Sequence, residues 1–175
     1  MTKTDADIIK EISRDPNRGF SQLVDRYSEK IYWHIRRTIE SHDDAQDIVQ
    51  EVFVRVFRSL SSLNSAESLR SWIYRIATNE TLRHIQRQRN QFATLDDTAD
   101  TIASDSYVNY DDVEAVQLKQ AIHSLPPKQQ LAFNMRYYDE LSYDEIAEVL
   151  GSSAGSVRAN YHNAKEKIIK YMNSL

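Results

Sequence analysis

The hydrophobic and polar positions of residues 1–90 follow a helical spacing almost throughout, with apolar residues three or four positions apart. The first clear run consists of Phe20, Leu23, Val24, Tyr27 and Ile31. The second run starts at Ser41, which forms a capping-box pattern with Asp44 in place of the usual Glu. Its apolar side consists of Ala45, Val49, Val52, Phe53, Val56 and Leu60. Residues 52–57 alone would also suit a strand, but the helical spacing before them favours a helix.

Helical spacing resumes at Val113 and continues towards the end of the chain. The first run of this part consists of Ala115, Leu118, Ile122 and Leu125. Pro126 and Pro127 end the run, because proline removes a backbone donor and clashes with the preceding helical turn. A further helix is predicted from about Lys128 to Tyr138.

Two capped helices separated by a glycine turn are predicted within residues 142–168. Ser142 and Glu145 form a capping box, and Gly151 ends the helix that they start. Ser153 can cap a final helix. The predicted buried stripe of that helix is Val157, Tyr161, Ala164 and Ile168. Such a pair predicts a helix-turn-helix, although an ordinary two-helix hairpin would show the same pattern.

Between these helical regions, residues 91–112 lose the periodicity and are rich in Asp, Ser, Thr and Ala. An ordered loop of this length is uncommon inside a compact domain, so we predict a flexible acidic linker. The predicted fold class is therefore all-α, with two small helical domains at residues 1–90 and 113–175. The low content of turn formers, three Gly and three Pro, agrees with long helices.

The charge is unevenly distributed along the chain, which has a formal net charge of −4. Residues 69–89 contain five arginines, and Glu80 is their only acid. Residues 90–114 contain seven acids and neither Lys nor Arg. A net negative charge therefore does not exclude a nucleic-acid partner, because a basic segment lies beside an acidic one.

The composition also restricts the classes of site and location. Cys is absent, which excludes disulfides and thiolate metal sites. The start of the chain lacks the apolar core of a signal peptide, and no apolar stretch approaches the length of a membrane span. We therefore expect a cytoplasmic protein without membrane insertion.

Three polar helix faces are candidate interaction surfaces. The last helix carries Ser156, Arg158, Ala159, His162 and Asn163 opposite its apolar stripe, groups suited to base edges and phosphates. The helix from Leu69 carries Arg75, Asn79 and Arg83 at four-residue intervals, flanked by Trp72 and Gln86, a set that can contact or stack on unpaired bases. The helix after Ser41 carries Asp44, Asp47, Glu51, Arg55 and Arg58 in one sector beside Val54, which suits a charged partner.

Each face also has a simpler interpretation. The arginine-rich face and the acidic face could both be solvated surface, with Trp72 in the core. Because residues 142–175 have equal numbers of basic and acidic side chains, the last helices alone should bind DNA weakly.

Six segments resemble, in order and over nearly the whole chain, motifs of the extracytoplasmic-function (ECF) sigma factors, the minimal two-domain type of the bacterial primary-sigma superfamily. These segments are residues 20–27, 43–53, 68–79, 125–130, 141–147 and 155–158. The resemblance implies that residues 1–90 are sigma domain two and residues 113–175 are sigma domain four. It implies a transcription initiation factor that binds core RNA polymerase and promoter DNA under the control of an anti-sigma protein. It implies no enzyme activity, cofactor, metal or small-molecule substrate.

The resemblance also implies a role for individual residues. Those expected to bind polymerase are Asp43, Asp44, Asp47, Gln50, Glu51 and Val54. Those expected at the minus-ten element are Asn64, Ser68, Arg70, Trp72, Arg75, Asn79 and Arg83. Those expected at the minus-thirty-five element are Ser153, Ser156, Arg158, Ala159, His162 and Asn163.

The chain departs from the family pattern at a few of these positions. The family often has an acid where Arg83 stands, and Gln86 and Gln88 dilute its basic run. Ala159, Asn160 and Asn163 occupy a segment where the family commonly has a further arginine. These departures predict fewer phosphate contacts and a different base preference at the minus-thirty-five element.

Two other classes of function were considered. A stand-alone helix-turn-helix regulator would explain the last two helices but not the acidic face or the Trp72 helix. An enzyme with His42, Asp43 and Asp47 as metal ligands is disfavoured, because their spacing matches no common metal motif and carboxylates at i, i+4 are common on solvated helices.

Overall fold

The computed structural model describes residues 2–63, 65, 69–94 and 112–175. The α-helices in these ranges are α1 (Asp5–Arg14), α2 (Pro16–Arg36), α3 (His42–Arg58), α4 (Leu69–Thr94), α5 (Val113–His123), α6 (Pro127–Tyr137), α7 (Tyr143–Leu150) and α8 (Ala154–Asn173). A short 3-10 turn, Leu60–Ser62, follows α3. The described residues form no strand, so the predicted all-α class is confirmed.

The chain divides into two compact units, and the division falls between Ser104 and Asp105. Helices α1–α4 belong to the first unit and α5–α8 to the second. The predicted acidic linker falls largely outside the described residues. Its predicted start at residue 91 is corrected, because α4 continues to Thr94. Residues 89–92 of α4 are exposed, with Phe92 at 62%, so the apolar pattern ends before the helix does.

In the first unit, α2, α3 and α4 pack on one another around a shared core. Its largest fully buried aliphatic side chains are Ile8, Leu23, Ile31, Ile35, Ile48, Leu69 and Ile73. Each such side chain contributes roughly 1.5–3 kcal/mol on burial. The predicted cap of α3 is confirmed, since the Ser41 hydroxyl accepts a hydrogen bond from the Asp44 amide at 3.2 Å.

Helix α1 lies close against α2 and is tied to it by polar contacts. A Cβ atom at Gly19 would lie only 2.5 Å from the backbone nitrogen of Ile12, so this contact requires glycine. The Tyr27 hydroxyl donates to the Asp5 carboxylate at 2.8 Å, and Arg26 pairs with the same carboxylate at 2.6 Å. Burial, together with the bond to Asp5, raises the pKa of Tyr27, which keeps its hydroxyl a donor.

The second unit begins its helix-turn-helix with the predicted caps. The Ser142 hydroxyl accepts from the Glu145 amide at 3.1 Å, and the Glu145 carboxylate accepts from the Ser142 amide at 2.7 Å. Gly151 ends α7 in the left-handed conformation, with φ of 62°, which glycine adopts without steric cost. Ser153 caps α8 by accepting from the Ser156 amide at 3.1 Å. The capping box of α7 and the serine cap of α8 therefore determine where the two helices begin.

The buried face of α8 packs against α5, α6 and α7. The principal core cluster of this unit consists of Ala121, Ile122, Leu125, Phe133, Ala164 and Ile168. Of the predicted stripe of α8, Val157, Ala164 and Ile168 are buried and Tyr161 is partly buried. This packing leaves the opposite side of α8 exposed.

Candidate partner and nucleic-acid interfaces

The acidic face of α3 is directed to solvent. Val54 is 48% exposed, an unusual state for an aliphatic side chain in the middle of a helix whose other side is core. Asp44 is partly buried. The remaining predicted residues, Asp43, Asp47, Gln50 and Glu51, are exposed. The predicted polymerase-binding set therefore lies on the accessible side of one helix.

A groove of about 660 Å³ runs between this acidic face and α4. Arg87 reaches across it to Glu51, with an N–O distance of 3.4 Å. At the N-terminal end of α3, Gln88 donates to Asp44 at 3.4 Å, and His84 lies 3.8 Å from the same carboxylate. The basic side of α4 thus contacts some of the acids that the sequence assigned to a partner.

The floor of the groove contains a buried carboxylate, Glu80, which is 2% exposed. Its Oε1 atom lies 2.5 Å from Arg55 Nε of α3 and 2.9 Å from Arg83 of α4. Both arginines keep about half of their side-chain surface exposed, at 50% and 51%. Sequence reasoning missed this role of Glu80. The signal that could have found it is an isolated acid within an arginine-rich helix.

The exposed side of α4 presents the predicted polar row. Arg75, Asn79 and Arg83 are all exposed, as four-residue spacing on a helix requires. Gln86 is exposed on the same helix, and Arg70 is partly buried. The structure therefore keeps three of the predicted minus-ten residues together on one accessible surface.

Trp72 requires a correction, because it is 8% exposed and belongs to the core. Its neighbours in the chain, Ser71 and Ile73, are also buried. A ring in this position has no face available for an unpaired base. The alternative interpretation of Trp72 as a core residue is thus the one that the structure supports. Asn64 and Ser68 lie outside the described residues.

The exposed side of α8 carries all the residues predicted to read duplex DNA. These are Ser153 at the cap, followed by Ser156, Arg158, Ala159, His162 and Asn163. His162 Nε2 lies 3.3 Å from the Glu166 carboxylate one turn later. Because Val157 and Ala164 on the other side are buried, the helix presents its polar side to solvent in a single orientation.

Arg158 is also in contact with α7, which the sequence did not reveal. Its guanidinium carbon lies 5.1 Å from the ring centroid of Tyr143. Arg136 of α6 lies 4.8 Å from the same centroid and donates to the Leu141 carbonyl at 3.0 Å. One aromatic ring therefore contacts two guanidinium groups from two other helices.

Within the described ranges, no group of three or more His, Cys, Asp or Glu side chains is arranged to hold a metal ion. In the same part of the chain, no helix is both long enough and apolar enough to span a bilayer.

Comparison with known proteins gives matches over both units. Residues 23–91 match the family described as Sigma-70 region 2, and residues 115–168 match Sigma-70, region 4. The chain is 30% identical to the ECF RNA polymerase sigma factor SigW of Bacillus subtilis over 95% of its own length and 96% of that relative.

Two solved structures share the fold. CnrH, solved in complex with the cytosolic domain of CnrY, has a TM-score of 0.76 at 20% identity, covering 98% of this chain and 99% of CnrH. The sigma factor RpoE of Bartonella quintana, solved with the anti-sigma factor NepR, has a TM-score of 0.76 at 18% identity, covering 88% and 96%. The near full-length match to SigW and the two Sigma-70 matches confirm the family that the motifs indicated. The chain belongs to the ECF RNA polymerase sigma factors, transcription initiation factors that bind core RNA polymerase and direct initiation at promoters.

Proposed function

We propose that three separate helix faces perform the steps of initiation in this sigma factor. The exposed face of α3 binds core polymerase, that of α4 contacts the minus-ten strand, and that of α8 reads the minus-thirty-five duplex. One observation supports all three assignments: each described set lies on the solvent side of a helix whose other side forms core. Trp72 is the exception and is left out of the minus-ten set.

The α3 face suits a basic partner surface with a small apolar contact. Asp43, Asp47 and Glu51 supply exposed negative charge, and Val54 supplies apolar area beside them. Complementary charge orients a partner and accelerates its association, while the apolar contact adds affinity without needing a hydrogen-bond partner.

The α4 face can hold a separated strand but cannot open the duplex alone. Opening about ten base pairs costs on the order of 14 kcal/mol, at roughly 1.4 kcal/mol per step. Stacking of one unpaired base on an aromatic ring stabilises the open strand by about 1–3 kcal/mol. Trp72 is buried and cannot contribute this stacking. The remaining free energy must therefore come from polymerase contacts, and Arg75 and Asn79 act by capturing the strand once it is open.

The α8 face suits the major groove of duplex DNA. Arg158, His162 and Asn163 can donate to base edges and phosphates, while Ser153 and Ser156 are near the N-terminus of the helix. The equal numbers of basic and acidic residues in 142–175 limit phosphate neutralisation, so stable binding depends on polymerase holding the factor at the promoter.

Control by an anti-sigma protein in the cytoplasm is part of the proposal. It rests on the family and on the two structural relatives, each of which was solved with a bound protein partner. A protein that covers the α3 face would block polymerase binding directly, because the two partners would compete for the same acids.

The test combines run-off transcription with a polymerase pull-down. Added to core polymerase and a promoter library, the chain should select a subset of promoters that core enzyme alone does not transcribe. The double variant Asp47→Arg, Glu51→Arg should weaken polymerase binding on the order of 100-fold, because it opposes like charges at the interface. Both positions are exposed, so the circular dichroism spectrum should not change.

A matched control is available on α2, where Asp25 and Glu29 are the same two residue types at the same spacing and are also exposed. Asp25→Arg combined with Glu29→Arg should leave polymerase binding within about threefold. An equal loss in both double variants would refute the assignment to α3, since it would show that total charge and not this face determines binding.

A further inference from the structure

Tyr143 is the first residue of α7 and lies outside every set that the sequence assigned to DNA or polymerase. Its ring packs against aromatic side chains that are part of the core of the second unit. Tyr161 packs against it with a centroid distance of 6.1 Å, and Tyr161 in turn stacks on the buried Phe133 at 5.8 Å. The position of the Tyr143 ring is therefore determined by packed aromatic groups.

Two arginine side chains also contact this ring. Arg136 lies 4.8 Å and Arg158 5.1 Å from the ring centroid, both within the range of a cation–π interaction. Arg136 is further fixed by its hydrogen bond to the Leu141 carbonyl.

An aromatic ring and a carboxylate have different effects on the charge of an arginine that they hold. A carboxylate would hold Arg158 equally well but would cancel its charge, whereas an aromatic ring restricts the side chain and leaves the full positive charge. The ring contact itself therefore leaves the charge of Arg158 in place, although residues 142–175 are neutral in sum. Phosphate contacts require such charge.

We propose that Tyr143 is a positioning residue, which holds the Arg158 guanidinium in the orientation used at the minus-thirty-five element. This inference rests on the proposed role of α8. Fixing a long side chain before DNA arrives removes part of the entropy that Arg158 would otherwise lose on binding. Tyr143 need not touch DNA itself.

The experiment measures the affinity of the assembled holoenzyme for a duplex promoter chosen by run-off transcription, beside the same promoter with a scrambled minus-thirty-five element. Tyr143→Leu keeps apolar bulk but removes the ring, and should weaken binding to the intact promoter about 2- to 5-fold. Tyr143→Phe keeps the ring and should bind as the parent does. On the scrambled promoter, where only contacts to phosphates remain, Tyr143→Leu should lose less affinity than on the intact promoter, and Tyr143→Phe should again match the parent.

The matched control is Tyr137→Leu. Tyr137 is 55% exposed and stacks on Phe133, but its described ring contacts are aromatic groups and not arginines. This variant should bind the promoter normally. A loss equal to that of Tyr143→Leu would overturn the inference, because it would reflect general loosening of the aromatic cluster.

Coupling between the two side chains gives the sharper result. Tyr143→Leu should have no further effect in an Arg158→Ala background, whereas additive losses would show that the two residues act separately. The variant Arg158→Lys tests the same cation–π contact without changing the ring of Tyr143. It keeps the charge but lacks the planar group that stacks, and should lose about as much affinity as Tyr143→Leu.

Failure of this inference is distinguishable from failure of the proposed function. If Arg158→Ala binds the intact promoter as the parent does, the assignment of α8 to the minus-thirty-five element is wrong. If Arg158→Ala weakens binding but Tyr143→Leu does not, only the positioning role is refuted.

Discussion

The two units hold their exposed arginines in different ways. In the first unit, Arg55 and Arg83 share one oxygen of the buried carboxylate of Glu80. In the second unit, Arg136 and Arg158 share the ring of Tyr143. In both units, two guanidinium groups from different helices contact one side chain, a carboxylate in the first unit and an aromatic ring in the second.

The physical consequences of the two devices differ. A carboxylate cancels one of the two charges that it holds, and its burial makes the ion pair part of the folding free energy. An aromatic ring cancels none and contributes little to folding. The first arrangement therefore joins helices α3 and α4, whereas in the second the ring itself cancels no charge.

The largest expected effect comes from removing both arginines around Glu80. Arg55→Met combined with Arg83→Met leaves a carboxylate that is 2% exposed without its partners. We expect the first unit to lose about 3 kcal/mol of unfolding free energy, the lower end for a broken buried pair because both arginines are half exposed. Urea unfolding at neutral pH measures this.

Adding Glu80→Met to that double variant provides the control. The triple variant should recover most of the lost stability, because no unpaired charge then remains buried. A triple variant as unstable as the double variant would show that apolar packing of the arginine stems, and not charge, holds this site.

A second prediction concerns the steps at which α4 and α8 act. Arg158→Ala should weaken closed-complex formation by about 1–3 kcal/mol on promoters with the preferred minus-thirty-five sequence. Asn79→Ala should mainly impair opening. A promoter with a pre-melted minus-ten bubble should therefore rescue part of the Asn79→Ala defect and little of the Arg158→Ala defect. Equal rescue of both variants, or of neither, would contradict this division between the two helices.

The smallest expected effect is on the salt dependence of promoter binding. If Arg158 neutralises a phosphate with its full charge, Arg158→Ala should reduce the slope of log K against log salt by about 0.9. Arg83→Ala should change the slope less, because Glu80 already pairs with that guanidinium. Both slopes are measured from the holoenzyme–promoter affinity at a series of salt concentrations from low to moderate. Equal changes in the two variants would contradict the distinction between the carboxylate-held and the ring-held arginines.

Much of the fold could be predicted because helix boundaries depend on local signals. Ser142, Glu145 and Gly151 act through contacts within a few residues of themselves, so their pattern alone places α7. The end of α4 could not be predicted this way. Residues 89–92 near its end are exposed, and apolar periodicity detects only helices that have a buried side.

The candidate faces were predictable for the same reason that the helices were. Residues four positions apart lie on one side of a helix, so Arg75 and Asn79 had to share a surface once the helix formed. Trp72 was ambiguous because it adjoins both the polar row and apolar neighbours, and only the packing of α4 in the first unit decided that its ring is buried.

The sequence by itself determined the helical class, the caps of α3, α7 and α8, the polar faces of α3, α4 and α8, and the membership of the family. The tertiary structure alone decided that Glu80 pairs with Arg55 as well as Arg83. It also decided that the ring of Tyr143 contacts Arg136 and Arg158. The physical reason is the separation in sequence over which each kind of interaction acts. A cap or a periodic face is set by neighbours within two turns, whereas an ion pair or ring contact between helices depends on how those helices pack.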